Sequence, residues 1–326
     1  MNVTSISTDR NIFIQGSDVA RRQIEYASRF DSLNIIVFTK KGFSVKKINE
    51  NISVYPTNSI SRWFYVFDAI RIGKKLPIPD SVTAQDPFEC GLAGYRLAKR
   101  VGANLELQIH TDIGSRYFRA ESLLNRVRFI IAKYLLPRAE HIRVVSDRIR
   151  TFLVECWNIS QGRIEVRPVF VDTEAIKNAP ILTDLHKKYP MFSHIVLMAS
   201  RLTREKNIEL ALRAFALARK SVLEAGLVVV GDGDEKKRLL NVVRSLGISK
   251  AVIFEPWTDD LASYYKTADV FLNTSLYEGY GRTLVEARTA GIPVISTDVG
   301  VAYEVGADVV DLYPHAVAKA ILKYAA

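Results

Sequence analysis

Short runs of β-branched and apolar residues alternate with segments of helical periodicity along nearly the whole chain. They form one series between residues 2 and 146 and a second between residues 195 and 298. Strands that alternate with helices form parallel sheets, so this rhythm predicts an α/β protein with two doubly wound sheets. The runs are NVTSIS (2–7), NIIVFT (34–39), ISVYPT (52–57), SVTAQD (81–86), LELQIH (105–110) and HIRVVS (141–146), then IVLMAS (195–200), GLVVVG (226–231), AVIFEP (251–256), DVFLNTS (269–275) and PVISTD (293–298).

The stretch VRPVFVDTEAIKNAPILTDLHKKYPMF separates the two series, contains three prolines and follows neither a strand nor a helix period. We place the domain connection there, which predicts an amino-terminal domain of residues 1–175 and a carboxyl-terminal domain of residues 176–326. Open parallel sheets bind ligands beyond the carboxyl ends of their strands. We therefore expect a ligand site in a cleft between the two domains.

The positive charge is concentrated in the first domain. The formal net charge is +10, of which residues 1–175 contribute +8 (26 Lys/Arg against 18 Asp/Glu) and residues 176–326 contribute +2 (19 against 17). A basic surface suits an anionic membrane or a nucleic acid. The sequence has no zinc-finger spacing, no aromatic RNA-binding signature and no long basic tail, so we expect no nucleic-acid partner.

The sequence also favours a cytoplasmic location. Its start, MNVTSISTDRNIF, has no apolar core behind a basic leader, and no run of about 18 apolar residues follows. Cys90 and Cys156 are far apart in sequence and suit a reducing compartment.

The segment SRYFRAESLLNRVRFIIAKYLLPRAEHIR (115–143) mixes arginines with apolar residues and fits two interpretations. In the first, it lies on the inner face of an anionic membrane and reaches a lipid-linked acceptor. In the second, it is an ordinary amphipathic helix packed on its sheet.

The most informative segment is NTSLYEGYGRTLVEA (273–287), which leaves a strand, turns at Gly279 and Gly281, and enters a helix. Gly291 and Pro293 predict that this helix runs from about Arg282 to Ala290. The free amides of its first turn make this a site for phosphate.

Two carboxylates, Glu278 and Glu286, flank this predicted phosphate site. A carboxylate repels phosphate, so its useful partners there are hydroxyl groups, which a nucleotide sugar carries on both its ribose and its hexose. The alternative is that both glutamates are solvated residues at a helix end.

A second charged cluster follows the first strand of the second series, in SRLTREKN (200–207). Arg201 and Lys206 would stand at the carboxyl end of that strand, where two fixed cations clamp a diphosphate. At an effective dielectric near 20, each contact at about 4 Å contributes about 4 kcal/mol before desolvation. No carboxylate, histidine or cysteine cluster has metal-ligand spacing, so we predict no catalytic metal.

Together these residues resemble family four of the retaining glycosyltransferases, which have the GT-B fold of two facing Rossmann-like domains. The family's Glu, seven residues, Glu motif matches at Glu278 and Glu286. Arg201 and Lys206, the VVVGDGDE turn, and the TDVG after PVIS occur in the family's order. The resemblance is strong from about residue 195 to 305 and diffuse earlier, where the family's Pro-Asn-Gly-Val-Asp is replaced by PVFVD (168–172).

The resemblance implies transfer of a hexose-type sugar, with retention, from a UDP-sugar or GDP-sugar donor to an acceptor hydroxyl, without a metal or other cofactor. Assembly of cell-envelope polysaccharide or glycolipid is the implied setting. The implied catalytic residues are Glu278 on the sugar, Arg201 and Lys206 on the diphosphate, and His110 in the QIHTD motif. The implied donor-binding residues are Glu286 on the ribose, Trp257 in the nucleobase loop, and Gly16, Gly231, Gly279, Tyr280, Gly281, Arg282 and Thr283 around the phosphates.

Several alternatives stay open at this point. His110 could be an edge-strand residue and Trp257 a core residue. A GT-B nucleotide-sugar epimerase is disfavoured by EGYGRTLVEA, and a dinucleotide oxidoreductase by the lack of Gly-x-Gly-x-x-Gly after NVTSIS. A binding protein without turnover would not need the glutamates and cations. Such folds usually carry a final helix that crosses back onto the first domain, whereas the given sequence ends after a predicted helix near Tyr324, so that either the protein is short or the sequence is cut.

Overall fold

The computed structural model describes residues 1–325, apart from the side chain of Asp18, and divides into two compact units. The first unit comprises Met1–Arg167, and the second begins at Pro168. This division comes a few residues before the predicted one at 175. The reason is that the connection packs on the second unit, as described below.

The first unit contains a sheet with strand order β3-β4-β2-β1-β5-β6-β7-β8, in which only β3 runs antiparallel to its neighbour. Its strands are β1 (Asn2–Ser7), β2 (Ser32–Val37), β3 (Lys46–Lys47), β4 (Ile52–Pro56), β5 (Ser81–Ala84), β6 (Asn104–Ile109), β7 (His141–Val144) and β8 (Ile164–Val166). Its helices are α1 (Asp18–Ala27), α2 (Tyr65–Gly73), α3 (Glu89–Val101), α4 (Arg116–Glu121), α5 (Leu123–Leu135) and α6 (Asp147–Trp157).

The second unit contains an all-parallel sheet with strand order β11-β10-β9-β12-β13-β14. Its strands are β9 (His194–Ala199), β10 (Ala225–Val230), β11 (Val252–Glu255), β12 (Val270–Asn273), β13 (Val294–Thr297) and β14 (Asp308–Val310). Its helices are α7 (Thr173–Asn178), α8 (Leu185–Lys188), α9 (Ile208–Ala218), α10 (Lys236–Ser245), α11 (Leu261–Thr267), α12 (Arg282–Thr289) and α13 (Pro314–Lys323).

The two central strands of the second sheet, β9 and β10, are buried along their whole length. Helices α9, α10 and α13 cover one face of the sheet, and α8, α11 and α12 cover the other. Burial on both faces explains why these strands read as unbroken apolar runs in the sequence. The predicted α/β class with two parallel sheets is confirmed.

The segment that connects the two sheets is fixed to α11. The Nζ of Lys266 donates to the carbonyls of Lys177 and Ala179. Farther along, the amide of Leu185 donates to the hydroxyl of Thr267 at 3.1 Å. These bonds place the three-proline stretch in the second unit.

Helix α5 lies within the segment 115–143, for which the sequence leaves a membrane-contacting and a sheet-packed interpretation open. It carries an exposed apolar stripe. Leu123, Val127, Ile130 and Tyr134 recur at spacings of three and four residues and are all exposed, while Ala132 and Leu135 are buried. The helix therefore packs by one face only. Within residues 1–325, no helix combines the length and the apolar character needed to cross a membrane.

Candidate functional site

The strand order of the second sheet creates a crevice at its centre. From β9 the chain builds outward through β10 and β11, and it then returns to the other side of β9 with β12. Loops that leave neighbouring strands in opposite directions open a crevice beyond the strand ends, which is where sheets of this kind bind ligands. The loops after β9 (200–207) and after β12 (274–281) border this crevice.

These two loops are hydrogen-bonded to each other. The hydroxyl of Thr274 donates to the carbonyls of Lys206 and Asn207, and the amide of Leu276 donates to the carbonyl of Glu205 at 2.7 Å. Asn207 adopts the left-handed conformation with φ 48°, which ends the short 3-10 turn before α9. The local backbone therefore fixes Lys206 against the second loop.

Lys206 and Glu278 form an ion pair at the centre of the crevice. Their side chains are only 14% and 16% exposed. The hydroxyl of Ser275 also donates to the same carboxylate oxygen of Glu278 at 2.8 Å. Two of the four predicted catalytic residues are thus brought together, and the interpretation of Glu278 as a solvated residue is wrong.

Glu286 is 7% exposed and is held from two sides. The Nε of Arg282 donates to one carboxylate oxygen at 2.6 Å, and the hydroxyl of Tyr265 donates to the other at 3.1 Å. Burial, together with the nearby Glu286, raises the pKa of Tyr265 well above its ordinary value, so this phenol stays protonated and keeps donating. The solvated alternative is wrong for Glu286 as well.

Glycines shape the backbone around this pair of glutamates. Gly281 has φ +89° and begins α12, which runs from Arg282 to Thr289 and so ends one residue before the predicted limit. Gly300 has φ +50°, and a Cβ there would lie 2.1 Å from the carbonyl oxygen of Tyr280. Gly300 was not among the predicted site residues, although the TDVG text contains it.

The turn between β10 and α10 packs in a similar way against the loop after β9. Gly231 has φ +138°, and a Cβ there would lie 2.0 Å from the carbonyl oxygen of Ser200. The amide of Leu202 donates to the carbonyl of Asp232 at 2.8 Å. Gly231 therefore allows these two loops to approach each other closely. Its predicted contact with the phosphates of a sugar donor stays a prediction.

Arg201 is not part of the Lys206 and Glu278 pair. Its side chain is 76% exposed and contacts Glu205 at 3.3 Å. Within residues 1–325 it forms no ion pair with either motif glutamate. The predicted contact of Arg201 with a diphosphate stays a prediction.

The remaining predicted residues of the second unit lie on its loops. Trp257 follows β11 and is 56% exposed, so the interpretation of Trp257 as a core residue is wrong. The carbonyl of Tyr280 accepts from the amide of Val301 at 2.9 Å. Gly279 and Thr283 lie on either side of Gly281, at the start of α12.

Gly16 and His110 lie in the first unit. Gly16 has φ +70° and precedes α1, whose first turn is capped by the hydroxyl of Ser17. His110 follows β6, which lies between β5 and β7, so the edge-strand interpretation is wrong.

The ring of His110 is neutral at pH 7. Its pKa is lowered to about 4, because the surrounding chain desolvates the ring and Arg143 lies nearby. Its Nε2 lies 3.3 Å from the side-chain oxygen of Gln108, which fixes one nitrogen as the donor and leaves the other as an acceptor. Among residues 1–325, no group of three His, Cys, Asp or Glu side chains is placed to hold a metal ion.

Two protein-family models match the chain. The model described as glycosyl transferases group 1 matches residues 186–320. The model described as glycosyltransferase family 4 matches residues 35–175.

Curated proteins with similar sequences carry transferase names. The alpha-monoglucosyldiacylglycerol synthase of Streptococcus pneumoniae is 28% identical over 243 residues, which cover 70% of this chain and 54% of that protein. The 2-deoxystreptamine glucosyltransferase of Streptomyces kanamyceticus is 26% identical over 219 residues, which cover 64% of this chain and 56% of that protein. The chain thus matches little more than half the length of either relative.

Solved structures resemble the chain over nearly its whole length. Anabaena Alr3699/HepE in complex with UDP and glucose has a TM-score of 0.74 at 17% identity, and the match covers 99% of this chain and 89% of that one. Sucrose-phosphate synthase from Thermosynechococcus elongatus has a TM-score of 0.78 at 19% identity, with the same coverage. At these identities the similarity shows the fold.

Proposed function

We propose that this chain, which belongs to the group 1 and family 4 glycosyltransferases and has their GT-B fold, transfers a sugar from a nucleotide-diphosphate donor to an acceptor hydroxyl. The observation that carries the proposal is the buried pair of Lys206 and Glu278 at the start of a glycine turn. A cation beside a helix amino terminus suits a diphosphate, and a carboxylate suits sugar hydroxyls.

In the proposed complex, the diphosphate lies at the amino terminus of α12 and accepts from the ammonium of Lys206. Arg201, which is exposed, moves in as a second cation. Glu286 accepts from the ribose hydroxyls, and Glu278 accepts from the hydroxyls of the transferred sugar. The largest demand of the reaction is stabilising the charge on the departing diphosphate, and fixed cations in a site with little water meet it.

The two charges at the centre of the site already neutralise each other, since Lys206 and Glu278 form an ion pair. When a donor binds, Lys206 transfers its contact to phosphate and Glu278 becomes available to the sugar. One exchange of partners therefore engages both ends of the donor, and a complete donor is favoured over either half.

We further propose that the first unit binds the acceptor, with neutral His110 accepting a hydrogen bond from a hydroxyl. Retention at the anomeric carbon, with the departing phosphate as the base, is part of the proposal, as is independence from metal ions. A uridine donor is the first to test. Alr3699/HepE is described in complex with UDP-glucose, and the pneumococcal relative is named alpha-monoglucosyldiacylglycerol synthase.

The proposal is tested by calorimetric titration of UDP and GDP into the wild type and into Lys206→Ala and Glu286→Ala. Removing a charged hydrogen-bond partner weakens nucleotide binding by about 10- to 100-fold. Lys250→Ala, at an exposed lysine of the same unit, is the matched control. Unchanged affinity in both site variants would falsify these roles.

A transfer assay separates the alternatives to this function. Release of UDP from UDP-hexose that depends on an added acceptor supports the transferase. Epimerised donor without acceptor indicates the epimerase, and tight donor binding with no release indicates a binding protein.

A second part of the proposal concerns membranes. The exposed stripe of α5, together with the +8 charge of residues 1–175, fits contact with an anionic membrane at the inner face of the cell.

Sedimentation with vesicles tests this membrane contact. Val127→Ser combined with Ile130→Ser should reduce binding to anionic vesicles about 10-fold or more, and Ile181→Ser, at an exposed residue of the second unit, should not. Equal binding of both variants would show that α5 is not the contact.

A further inference from the structure

The first unit has its own crevice, formed by the same topological rule. Its chain builds outward from β1 through β2, and it then returns to the other side of β1 with β5. A cavity of about 320 Å³ lies there, and it extends under α1. Among its lining residues are Ser7 and Gln85 at the ends of β1 and β5, and Gln108 and Arg143 on β6 and β7.

Arg143 is the group in this cavity that most needs a partner. It lies on an interior strand, and its Nε is buried without a hydrogen-bond partner. Within residues 1–325 its guanidinium forms no ion pair. Burial lowers its pKa, and the nearby Arg167 lowers it further. Arg143 is half-buried, and burying the Nε of a cation without a counter-charge is costly, so a bound anion would stabilise it.

The nearby carboxylates are occupied elsewhere. Glu165 is paired with Arg167 at 2.7 Å. Glu106 accepts from the hydroxyl of Thr83 at 2.8 Å and from the amide of Gln108 at 3.2 Å. They moderate the charge of Arg143 through space and leave its Nε unpaired.

Two more carboxylates line the cavity. Asp9 accepts from the amide of Asn11 and caps a 3-10 turn. Glu25 lies on the exposed side of α1, and Arg22 of the same helix and Arg29, just after its end, also line the cavity. The lining therefore has four arginines against two carboxylates.

Neutral donors in the cavity come from both the sheet side and the helix side. The side-chain oxygen of Gln85 accepts from the hydroxyl of Ser7 at 2.7 Å and from the amide of Thr8 at 2.9 Å, which leaves the amide nitrogen of Gln85 as a donor. Tyr26 of α1 contributes a hydroxyl, and burial raises its pKa, so it stays protonated. Donors that surround a space from several sides match a tetrahedral oxyanion better than a planar carboxylate.

We infer that this cavity binds a phosphomonoester group of the acceptor, with the half-buried Arg143 as its anchor and Arg22 and Arg29 at its mouth. The inference rests on the proposed function, because that function requires an acceptor in the first unit. The shared chemistry is a phosphate on a small alcohol, which occurs both in soluble sugar or glycerol phosphates and in lipid headgroups.

The test is calorimetric titration of glycerol 3-phosphate into protein saturated with UDP, so that the phosphate site of the second unit is occupied. The wild type should bind. Arg143→Met should weaken binding by about 10- to 100-fold, and Arg29→Met by a few-fold. Arg244→Met, at an exposed arginine of the second unit, should leave it unchanged.

Absence of binding in the wild type, or equal binding by the wild type and Arg143→Met, would overturn the inference. Circular dichroism checks that each variant is folded. If Arg143→Met is unfolded, the inference is tested with Arg143→Lys and Arg29→Met instead. Arg143→Lys keeps the charge and lacks Nε. Unchanged affinity in both of these would overturn the inference equally.

One further titration distinguishes the two sources of the phosphate, and a comparison with UDP binding tests the cavity independently of the proposed function. Dihexanoyl phosphatidic acid, used below its micelle concentration, carries the same group on a lipid. Binding tighter than that of glycerol 3-phosphate, and still dependent on Arg143, indicates a lipid headgroup, whereas equal binding indicates a soluble phosphate. Failure of UDP to bind while glycerol 3-phosphate still binds through Arg143 would remove the proposed donor site and leave the cavity standing.

Discussion

The two units build crevices in the same way, because in each sheet the chain returns to the other side of the first strand, but the side chains in the two crevices differ in their electrostatics. In the second unit, Lys206 and Glu278 neutralise each other and Glu286 is held by two donors. In the first unit, Arg143 has an unpaired Nε and His110 is neutral. The same kind of crevice can therefore contain charges that pair with each other before a ligand binds, or a charge that has no partner within the part of the protein that the structure describes.

The largest expected effect comes from breaking the pair in the second unit from its two ends. Lys206→Met removes the cation that we propose stabilises the departing diphosphate, and it should lower kcat/KM by about 100- to 1000-fold. Glu278→Gln should lower it by about 10- to 100-fold. The two substitutions should move UDP affinity in opposite directions, because Glu278→Gln frees Lys206 for phosphate while Lys206→Met removes it.

Calorimetry with UDP and steady-state transfer kinetics measure these effects. Equal weakening of UDP binding in the two variants would contradict the exchange of partners. Lys250→Met is the control for loss of a surface charge.

A glycine substitution tests the crevice of the second unit alone, because it disturbs the backbone there and leaves the first unit unchanged. Gly300→Ala places a Cβ 2.1 Å from the carbonyl of Tyr280, so the loop that carries Glu278 must shift. We expect a loss of about 2 to 4 kcal/mol in the free energy of unfolding, measured by urea denaturation. Gly291→Ala, also at a positive φ (+88°) but with open space around its Cβ, should cost only about 1 to 2 kcal/mol. Equal losses would mean that the close approach is unimportant.

Tyr265→Phe tests whether pre-paired charges matter for binding. It removes one donor to Glu286 and should weaken UDP binding by about 3- to 10-fold. Tyr264→Phe is matched in chemistry and burial, but its hydroxyl donates to Glu255 instead. Calorimetry should show unchanged UDP affinity in that control. Should both variants bind UDP alike, the orientation of Glu286 does not depend on Tyr265.

The smallest effect concerns His110 in the first unit. Its pKa of about 4 in the folded chain is below the ordinary value of 6.5, so the unfolded chain binds more protons between these values. Stability is therefore expected to fall as the pH is lowered from about 6.5 to about 4. His110→Gln should flatten that dependence in urea titrations at several pH values, and His315→Gln, at an exposed residue, should not. An unchanged slope in His110→Gln would show that the ring titrates normally.

Much of the fold was predictable because the strands of the second unit are continuous apolar runs between clear turns. The short edge strands β8 (Ile164–Val166) and β14 (Asp308–Val310) were missed, since three residues are too few to show a period. The strand order could not be read from the sequence at all. It follows from how the helices pack on both faces.

The candidate site was predictable where a motif is local and unpredictable where partners are distant. Glu278 and Glu286 were found from their spacing and glycines, but the burial of Glu286 depends on Tyr265, which lies in an earlier helix. Arg143 looked like one more alternating residue of HIRVVS. Its unpaired nitrogen is visible only when the neighbouring strands are in place.

The bonds from Lys266 to the carbonyls of Lys177 and Ala179 have a practical meaning for anyone dividing the protein. A fragment that starts at Pro168 retains this stretch, whereas one cut after residue 175 loses the first three residues of α7, which packs beside α12. Helix α12 would then lose part of a neighbour, and nucleotide binding measured on the shorter piece is expected to be weaker than that of the intact chain.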